Sequence, residues 1–173
     1  MMQSFFQNTH SRLFLILLTM GSFSLGMTEY SMIGFSAEMS ADLQLSTQQT
    51  SQVMSAYALG VLIGAPLLAI LGSKLNRHTL LAYLLFWCAS ANFFTSFAQS
   101  YEQLRLLRVF NGFPHGIYFS TAALLIYEVF PKHKRASYIG VMFSGIGMAL
   151  IMAVPFNTWV GEVQGWRYMY RFM

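Results

Sequence analysis

Residues 104–130 read LRLLRVFNGFPHGIYFSTAALLIYEVF, and this stretch decides how the chain folds. It is long enough and apolar enough to cross a bilayer, which takes about 20 residues of helix. Within it lie Arg108, Asn111 and His115, and helical periodicity places all three on one face. A charged side chain in hydrocarbon costs at least about 2.5 kcal/mol, so we expect this face to look at protein or water rather than at lipid.

The composition of the whole chain is that of an integral membrane protein. Of its 173 residues, 55% are hydrophobic and only 9% are charged, whereas soluble domains carry about 25% charged residues. We find no basic patch with interleaved aromatic residues, which argues against a nucleic-acid partner. The sequence also lacks a nucleophile motif, a metal-ligand spacing and a phosphate-binding loop, so we predict neither an enzyme nor a metal or cofactor site.

Hydropathy predicts an all-α protein with about five membrane spans, at residues 13–35, 52–72, 79–98, 104–130 and 138–160. This prediction divides the chain into an N-terminal segment, a transmembrane region and a tail, at residues 1–12, 13–160 and 161–173. The partner that such a chain needs first is the lipid bilayer itself.

The loops indicate how the spans are oriented. Lys and Arg concentrate in the loops at residues 73–78 and 131–137, and basic loops stay in the cytoplasm. We therefore expect a multi-pass protein of the cell inner (plasma) membrane, with its N-terminus inside and its tail outside.

Small residues recur at spacings of four in several predicted spans, and such rows let helix backbones approach closely. We expect close packing at Gly60 and Gly64 in the second span, at Gly112 and Gly116 in the fourth, and at Gly145 in the fifth.

Four stretches of the chain resemble a known family. They are SFSLGMTEYSMIGF (22–35), SAYALGVLIGAP (55–66), RVFNGFPHG (108–116) and VPFNTWVGEVQGWR (154–167). In order and spacing they resemble the N-terminal half of a major facilitator superfamily efflux transporter, of the drug and sugar proton antiporter branch and the arabinose efflux permease type. The resemblance implies two six-helix bundles that rock around a substrate site between them.

Under this resemblance the chain supplies most of one six-helix bundle, and the C-terminal half is missing. We therefore expect a truncated chain, whose last residues, YMYRFM (168–173), do not look like the start of a sixth span. Three family motifs test the resemblance. The loop at residues 72–78, GSKLNRH, keeps its basic residues but has no carboxylate, whereas Arg108, Gly112 and Gly116 match the helix-four motif.

The helix-five antiporter motif is matched in part. Pro155 and Gly145 fit the pattern of a Gly-rich run around a proline, and we expect both to serve helix packing. Ala153 and Asn157 stand where this branch usually has glycines, which predicts looser packing at those two positions.

The resemblance also gives the intramembrane charges a role. Glu29 lies about 25 Å along a helix from Arg12, which puts it near the outer side, at a depth similar to that of Arg108. The first and fourth helices are neighbours in the family, so we expect a Glu29–Arg108 ion pair. Either Glu29 takes and releases a proton, tuned by Arg108, or the pair is static and fixes the bundle. His115 is a second proton site, a substrate-binding group or a neutral structural histidine.

Other polar residues have weaker indications. Tyr30, Tyr57, Asn111 and Tyr118 are candidates for lining a substrate cavity, although most aromatic residues in such a chain simply pack or anchor at the interface. Glu128 is expected to pair with the nearby Lys132 at the surface.

Two functions remain open from the sequence. The first is the N-terminal portion of a proton-coupled efflux transporter for sugars, drugs or other small molecules, inactive alone, whose full-length form binds substrate and protons. The alternative is a small membrane protein that acts by associating with a partner half or with a copy of itself.

Overall fold

A computed structural model describes the main chain of residues 2–173 and the side chains of residues 11–173; Met1 lies outside the described residues. In the described part every regular element is a helix: α1 (Met2–Asp42), α2 (Thr47–Gly72), α3 (Arg77–Thr95), α4 (Tyr101–Val129), α5 (Arg135–Met148), α6 (Val154–Gln164) and α7 (Trp166–Phe172). A 3-10 turn at Lys132–Lys134 leads into α5, and a π-helical segment at Ala149–Ala153 joins α5 to α6. The all-α prediction is confirmed.

Caps in the loops set where the helices begin. The Ser46 hydroxyl accepts a hydrogen bond from the main-chain N–H of Gln49, and the Gln49 side chain accepts one from the N–H of Ser46. This reciprocal cap satisfies N–H groups that a helix start leaves free, so α2 begins at Thr47 rather than at the predicted residue 52. Asn76 caps α3 in a similar way, through the N–H of Thr79 at 2.8 Å.

The first helix is longer than the predicted span at both ends. It begins at Met2 and ends at Asp42, so the predicted N-terminal segment 1–12 is helical where it is described and continuous with the first span. At the other end Met39 is fully buried among residues of α2 and α7. Burial of this kind, and not hydropathy, carries the helix beyond residue 35.

The fifth span is one long helical rod with an irregular turn in its middle. Pro155 is the second residue of α6 and has no N–H to donate to the preceding turn, which accounts for the wider π turns at Ala149–Ala153. The Pro155 side chain is exposed, so the residue shapes the helix and does not form the packing contact expected of it. The rod ends at Gly165, whose φ of +85° suits glycine alone.

The last residues form an ordered element and not a loose tail. After Gly165 the chain continues as α7, which buries Trp166, Met169 and Tyr170 against the end of the bundle. The Trp166 indole donates to Asp42 at the end of α1, and Arg167 forms an ion pair with the same carboxylate. Part of the predicted tail at residues 161–173 thus forms a packed helix in the structure.

The helices pack in two layers around two apolar clusters. α2 lies along α4, α1 lies along the α5–α6 rod, and α3 packs on α4. One cluster is centred on Tyr118, Leu125 and Met142, and the other, toward α7, is centred on Phe35 and Leu104. The Arg108 and Asn111 side chains of α4 are buried inside the bundle, whereas the Glu29 side chain of α1 keeps about a third of its surface exposed.

By length and composition, three of the described segments could each cross a membrane: Ser11–Asp42, Thr47–Gly72 and Lys132–Gln164. The other two predicted spans, α3 and α4, fall short of that standard because they carry polar side chains such as Asn92 and Arg108, which point into the bundle. Their outer faces are apolar, with Phe86 and Phe94 of α3 exposed as a lipid-facing surface requires.

At the loop end of α4, Glu128 pairs with Arg77 of α3 and not with Lys132 as expected. Arg77 belongs to the basic motif at residues 72–78, which contains no carboxylate of its own. The pair joins α3 to α4 near the two loops that carry most of the positive charge.

Candidate functional site

Glycines hold α2 and α4 in backbone contact and so position the polar groups between them. A Cβ on Gly60 would collide with the Val109 carbonyl, and one on Gly112 would collide with the Tyr57 carbonyl. A Cβ on Gly64 would likewise strike the main chain of Phe113. The close approach brings the Tyr57 side chain of α2 against the polar face of α4.

Arg108 is almost completely buried at the centre of this arrangement. Its Nη1 donates to the Thr28 carbonyl at 2.9 Å and to the Ser31 hydroxyl at 3.2 Å. Its Nη2 lies 3.4 Å from the Glu29 carbonyl. The guanidinium also stands 4.6 Å from the centre of the Tyr57 ring, in a cation–π arrangement. Arg108 therefore binds α1 through main-chain oxygens and a hydroxyl.

The Glu29 carboxylate faces His115 instead of Arg108. Its Oε2 lies 3.9 Å from Nε2 of His115 and has no hydrogen-bond partner among the described residues, although it is buried. The predicted Glu29–Arg108 ion pair is therefore wrong in its partner, even though the two residues do lie at the same depth. The reason is geometric: the Arg108 guanidinium donates to main-chain oxygens of α1, and the Glu29 carboxylate lies toward His115.

His115 is the meeting point of three helices. Its Nδ1 lies 2.9 Å from the Tyr57 hydroxyl, and its Nε2 faces the Glu29 carboxylate. Tyr57 is buried, whereas the Glu29 side chain keeps about a third of its surface exposed. The geometry thus forms a chain from Tyr57 through His115 to a carboxylate that reaches the edge of the bundle.

Two of the candidate cavity residues lie inside the protein core. Tyr118 is 1% exposed; its ring packs on Gly21 and its hydroxyl donates to the Leu18 carbonyl at 2.8 Å. Asn111 is fully buried and donates to Thr95 of α3 at 3.0 Å. Neither is placed to line an open cavity, because both side chains face neighbouring helices. Tyr30 is half-buried on α1, beside Glu29.

Small residues also hold α1 against the fifth helical rod, at successive turns. Gly145 lies against the Thr19 carbonyl, and Gly26 lies against Ala149. One level further along, Gly34 faces Asn157, and a Cβ on Gly34 would stand only 2.8 Å from that of Asn157. The looser packing expected at Asn157 does not occur, because the glycine is on α1 instead.

Several residues that the site depends on were missed from the sequence, and three of them surround Arg108. Thr28 and Ser31 of α1 bind it through a carbonyl and a hydroxyl, and Tyr170 of α7 places its hydroxyl 3.4 Å from Nη1. Thr28 and Ser31 lie within the motif around Glu29, so that motif could have indicated them. No sequence signal links Tyr170 to residues far earlier in the chain.

No group of His, Cys, Asp and Glu in the described part of the chain could hold a metal ion. Two apolar grooves open on the outside of the bundle, one between α2, α3 and α4 and one between α1 and α5. Neither groove includes Glu29, His115 or Arg108. The charged site is therefore separate from both grooves.

Comparison with known proteins identifies the family. The family model described as Major Facilitator Superfamily matches residues 18–173, so the chain belongs to that family of membrane transporters. The inner membrane transport protein YdhP of Escherichia coli is 36% identical over 153 residues, 88% of this chain and 39% of the E. coli protein. A Helicobacter pylori protein named "Probable sugar efflux transporter" is 25% identical over 86% of this chain and 38% of its own length.

A solved structure shows the same fold. A bacterial homologue of the human lysosomal transporter Spinster, in an inward-facing and unoccupied conformation, superposes with a TM-score of 0.75 at 18% identity. The match covers 93% of this chain and 40% of that protein. The chain is thus an all-α, multi-pass bundle of the superfamily, not an enzyme, and it spans about two-fifths of the length of the relatives it matches. The family match also runs through α7 to the last residue.

Proposed function

We propose that this chain forms the N-terminal bundle of a proton-coupled efflux transporter, in which Glu29 carries the proton. The observation that supports this most is the position of Glu29 in a membrane-embedded bundle. One of its carboxylate oxygens is buried 3.9 Å from His115 and has no hydrogen-bond partner in the part of the chain that the structure describes. Ionisable groups at such depth are costly and usually serve ion movement. A carboxylate without a fixed partner is free to gain and lose a proton.

In this mechanism the other two charged groups have distinct roles. Arg108 holds a permanent positive charge close to Glu29 and favours proton release when the site opens. His115 shares a hydrogen bond with Tyr57 through Nδ1, and it presents Nε2 to the Glu29 carboxylate at 3.9 Å. Tyr57 is buried and contacts His115, so the half-buried Tyr30 beside Glu29 is the candidate cavity residue that we retain for substrate contact.

The names of relatives support a proposal for the substrate class and the location. One relative is named for sugar efflux and another for inner membrane transport, so we propose efflux of sugars or similar small molecules, drugs included, across the inner membrane. The N-terminus and the two basic loops lie in the cytoplasm under this proposal. Transport needs two bundles that rock around a shared site, so the bundle works with a C-terminal half.

The experiment compares this chain alone with the chain joined at residue 173 to the remaining helices of YdhP. Both are expressed in a strain that lacks its major exporters, and accumulation of labelled sugars and drugs is measured with and without an uncoupler. We expect uncoupler-sensitive efflux from the joined protein and none from the chain alone. Efflux from neither form, with both inserted in the membrane, would contradict the proposal.

A second candidate is supported by one observation on α5. Gly140 and Gly147 are exposed, and apart from their own turn of helix a Cβ on either would meet no described atom within 4 Å. Together with the exposed Ser144 they form a flat strip on which another helix could lie. This strip favours association with a partner half or a second copy. Uncoupler-sensitive efflux from the chain alone would favour the second copy, since one bundle cannot enclose a site.

A further inference from the structure

The Tyr170 side chain is buried where α7 meets α1 and α4. Its hydroxyl lies 2.6 Å from the Ser31 hydroxyl and 3.4 Å from Nη1 of Arg108. Its ring packs against Phe35 and Trp166, and it is fully shielded from solvent and lipid. The burial of the Tyr170 hydroxyl and its two hydrogen-bonding partners indicate a role beyond packing.

The hydrogen bonds around Ser31 have a defined direction. A serine hydroxyl has one proton, and Ser31 donates it to the Thr28 carbonyl at 2.8 Å. Tyr170 therefore donates to Ser31, whose oxygen also accepts from Arg108 at 3.2 Å. The Tyr170 oxygen keeps its lone pairs for Arg108. Arg108 is thus held by two hydroxyl oxygens that are themselves fixed in place.

We propose that Tyr170 is a positioning residue for Arg108, and that together with Ser31 it holds the guanidinium on the main chain of α1 and off the Glu29 carboxylate. This deepens the proposed function, because it explains how Glu29 stays available for a proton beside a permanent positive charge. Without the Tyr170 hydroxyl, Arg108 loses one of its fixed partners. The guanidinium can then turn to the Glu29 carboxylate, since Arg108 already lies beside the Glu29 carbonyl and Oε2 of Glu29 has no hydrogen-bond partner among the described residues.

Titratable groups from five helices surround Glu29. α4 contributes His115 and Arg108, and α2 contributes Tyr57. On α1 the neighbour is Tyr30, and α3 places Cys88 against the adjacent Thr28. α7 contributes Tyr170 itself. The α5–α6 rod has no Asp, Glu, Lys, Arg or His between residues 136 and 161. Arg108 is therefore the group whose movement would most change the charge next to Glu29.

The test uses the 173-residue chain in detergent and needs no transport. A hydrophobic carbodiimide modifies carboxyl groups in their protonated form, and mass spectrometry measures the modified fraction at Glu29 as a function of pH. We expect Tyr170→Phe to move the midpoint of this profile to lower pH by about 1 unit, because a guanidinium next to a carboxylate stabilises its anion. Ser31→Ala should move it in the same direction.

Tyr168→Phe is the matched control, since Tyr168 lies on the same short helix but is exposed and contacts Phe172. In Tyr168→Phe, the pH midpoint of Glu29 modification should equal that of the unaltered chain. Midpoints unchanged in both Tyr170→Phe and Ser31→Ala, or an equal shift in Tyr168→Phe, would overturn the positioning role. If Tyr170→Phe fails to fold, Ser31→Ala decides alone. The proposed function fails separately, if Glu29→Gln still supports proton-driven efflux in the joined protein.

Discussion

His115 of α4 lies with its Nε2 atom 3.9 Å from the Glu29 carboxylate of α1, and its other ring nitrogen contacts Tyr57 of α2. The imidazole therefore links three helices at one depth in the bundle. Arg108, which lies earlier on α4, donates hydrogen bonds to main-chain carbonyl oxygens of the same stretch of α1. The Glu29 carboxylate and the Arg108 guanidinium are therefore close neighbours without a direct bond. We expect replacement of either residue to change transport.

Replacing Glu29 with Gln should abolish proton-driven efflux in the joined protein and leave membrane insertion unchanged. Gln keeps the size and the hydrogen-bonding capacity of the side chain but cannot exchange a proton. Efflux is measured in vesicles under an imposed pH gradient. Glu162→Gln is the control, because Glu162 is an exposed carboxylate near the end of α6. Wild-type efflux by the Glu29→Gln protein would refute the role given to this carboxylate.

Arg108→Ala should also abolish efflux, and Arg108→Lys should restore only part of it. Arg108 meets two carbonyls and two hydroxyls, and the point charge of Lys cannot span them as the planar guanidinium does. The Ala variant leaves buried acceptors unpaired, at a cost of about 1–3 kcal/mol each in stability. Thermal unfolding in detergent measures that loss, and vesicle assays measure efflux. Full efflux by the Lys variant would show that charge alone suffices.

The orientation is tested by labelling. In a Cys88→Ser background, a cysteine at position 133 should react with an impermeant reagent only after the cells are opened. Position 133 lies in the basic 3-10 turn before α5, and basic loops remain in the cytoplasm. A cysteine at position 99, in the loop between α3 and α4, should react in intact cells. The reverse pattern would invert the orientation proposed here.

The polar face of α4 and the glycine rows could be predicted from the sequence because both depend only on helical periodicity. Arg108 and Asn111 are indeed buried, and Gly60 and Gly112 do lie in backbone contact. The partner of Glu29 could not be predicted in the same way. The depth of a residue along a helix follows from counting residues. The direction of a long side chain depends instead on which neighbouring groups form hydrogen bonds or ion pairs with it.

The contribution of α7 could not be predicted from the sequence, for a different reason. Residues 168–173 are too short and too mixed in polarity for hydropathy to indicate a span. Their burial arises from tertiary contacts, as Tyr170 meets Ser31 across 139 positions of sequence. Likewise, Asn157 stands where the family branch usually has a glycine, which predicted loose packing. Only the structure shows that Gly34 of α1 lies against Asn157 and lets the two helices approach closely.

The last prediction compares two glycines that look alike in sequence. Gly60→Ala should destabilise the bundle by about 1–3 kcal/mol or more, since the new methyl would meet the Val109 carbonyl and neither backbone can easily retreat. Gly140→Ala should be neutral or slightly stabilising, because its Cβ would meet open space and alanine favours helix. Thermal unfolding of both variants in the same detergent measures the difference. Because α2 carries Tyr57 to His115, Gly60→Ala should also reduce efflux in the joined protein. Equal stability of the two variants would mean that the backbone contact between α2 and α4 does not hold this bundle together.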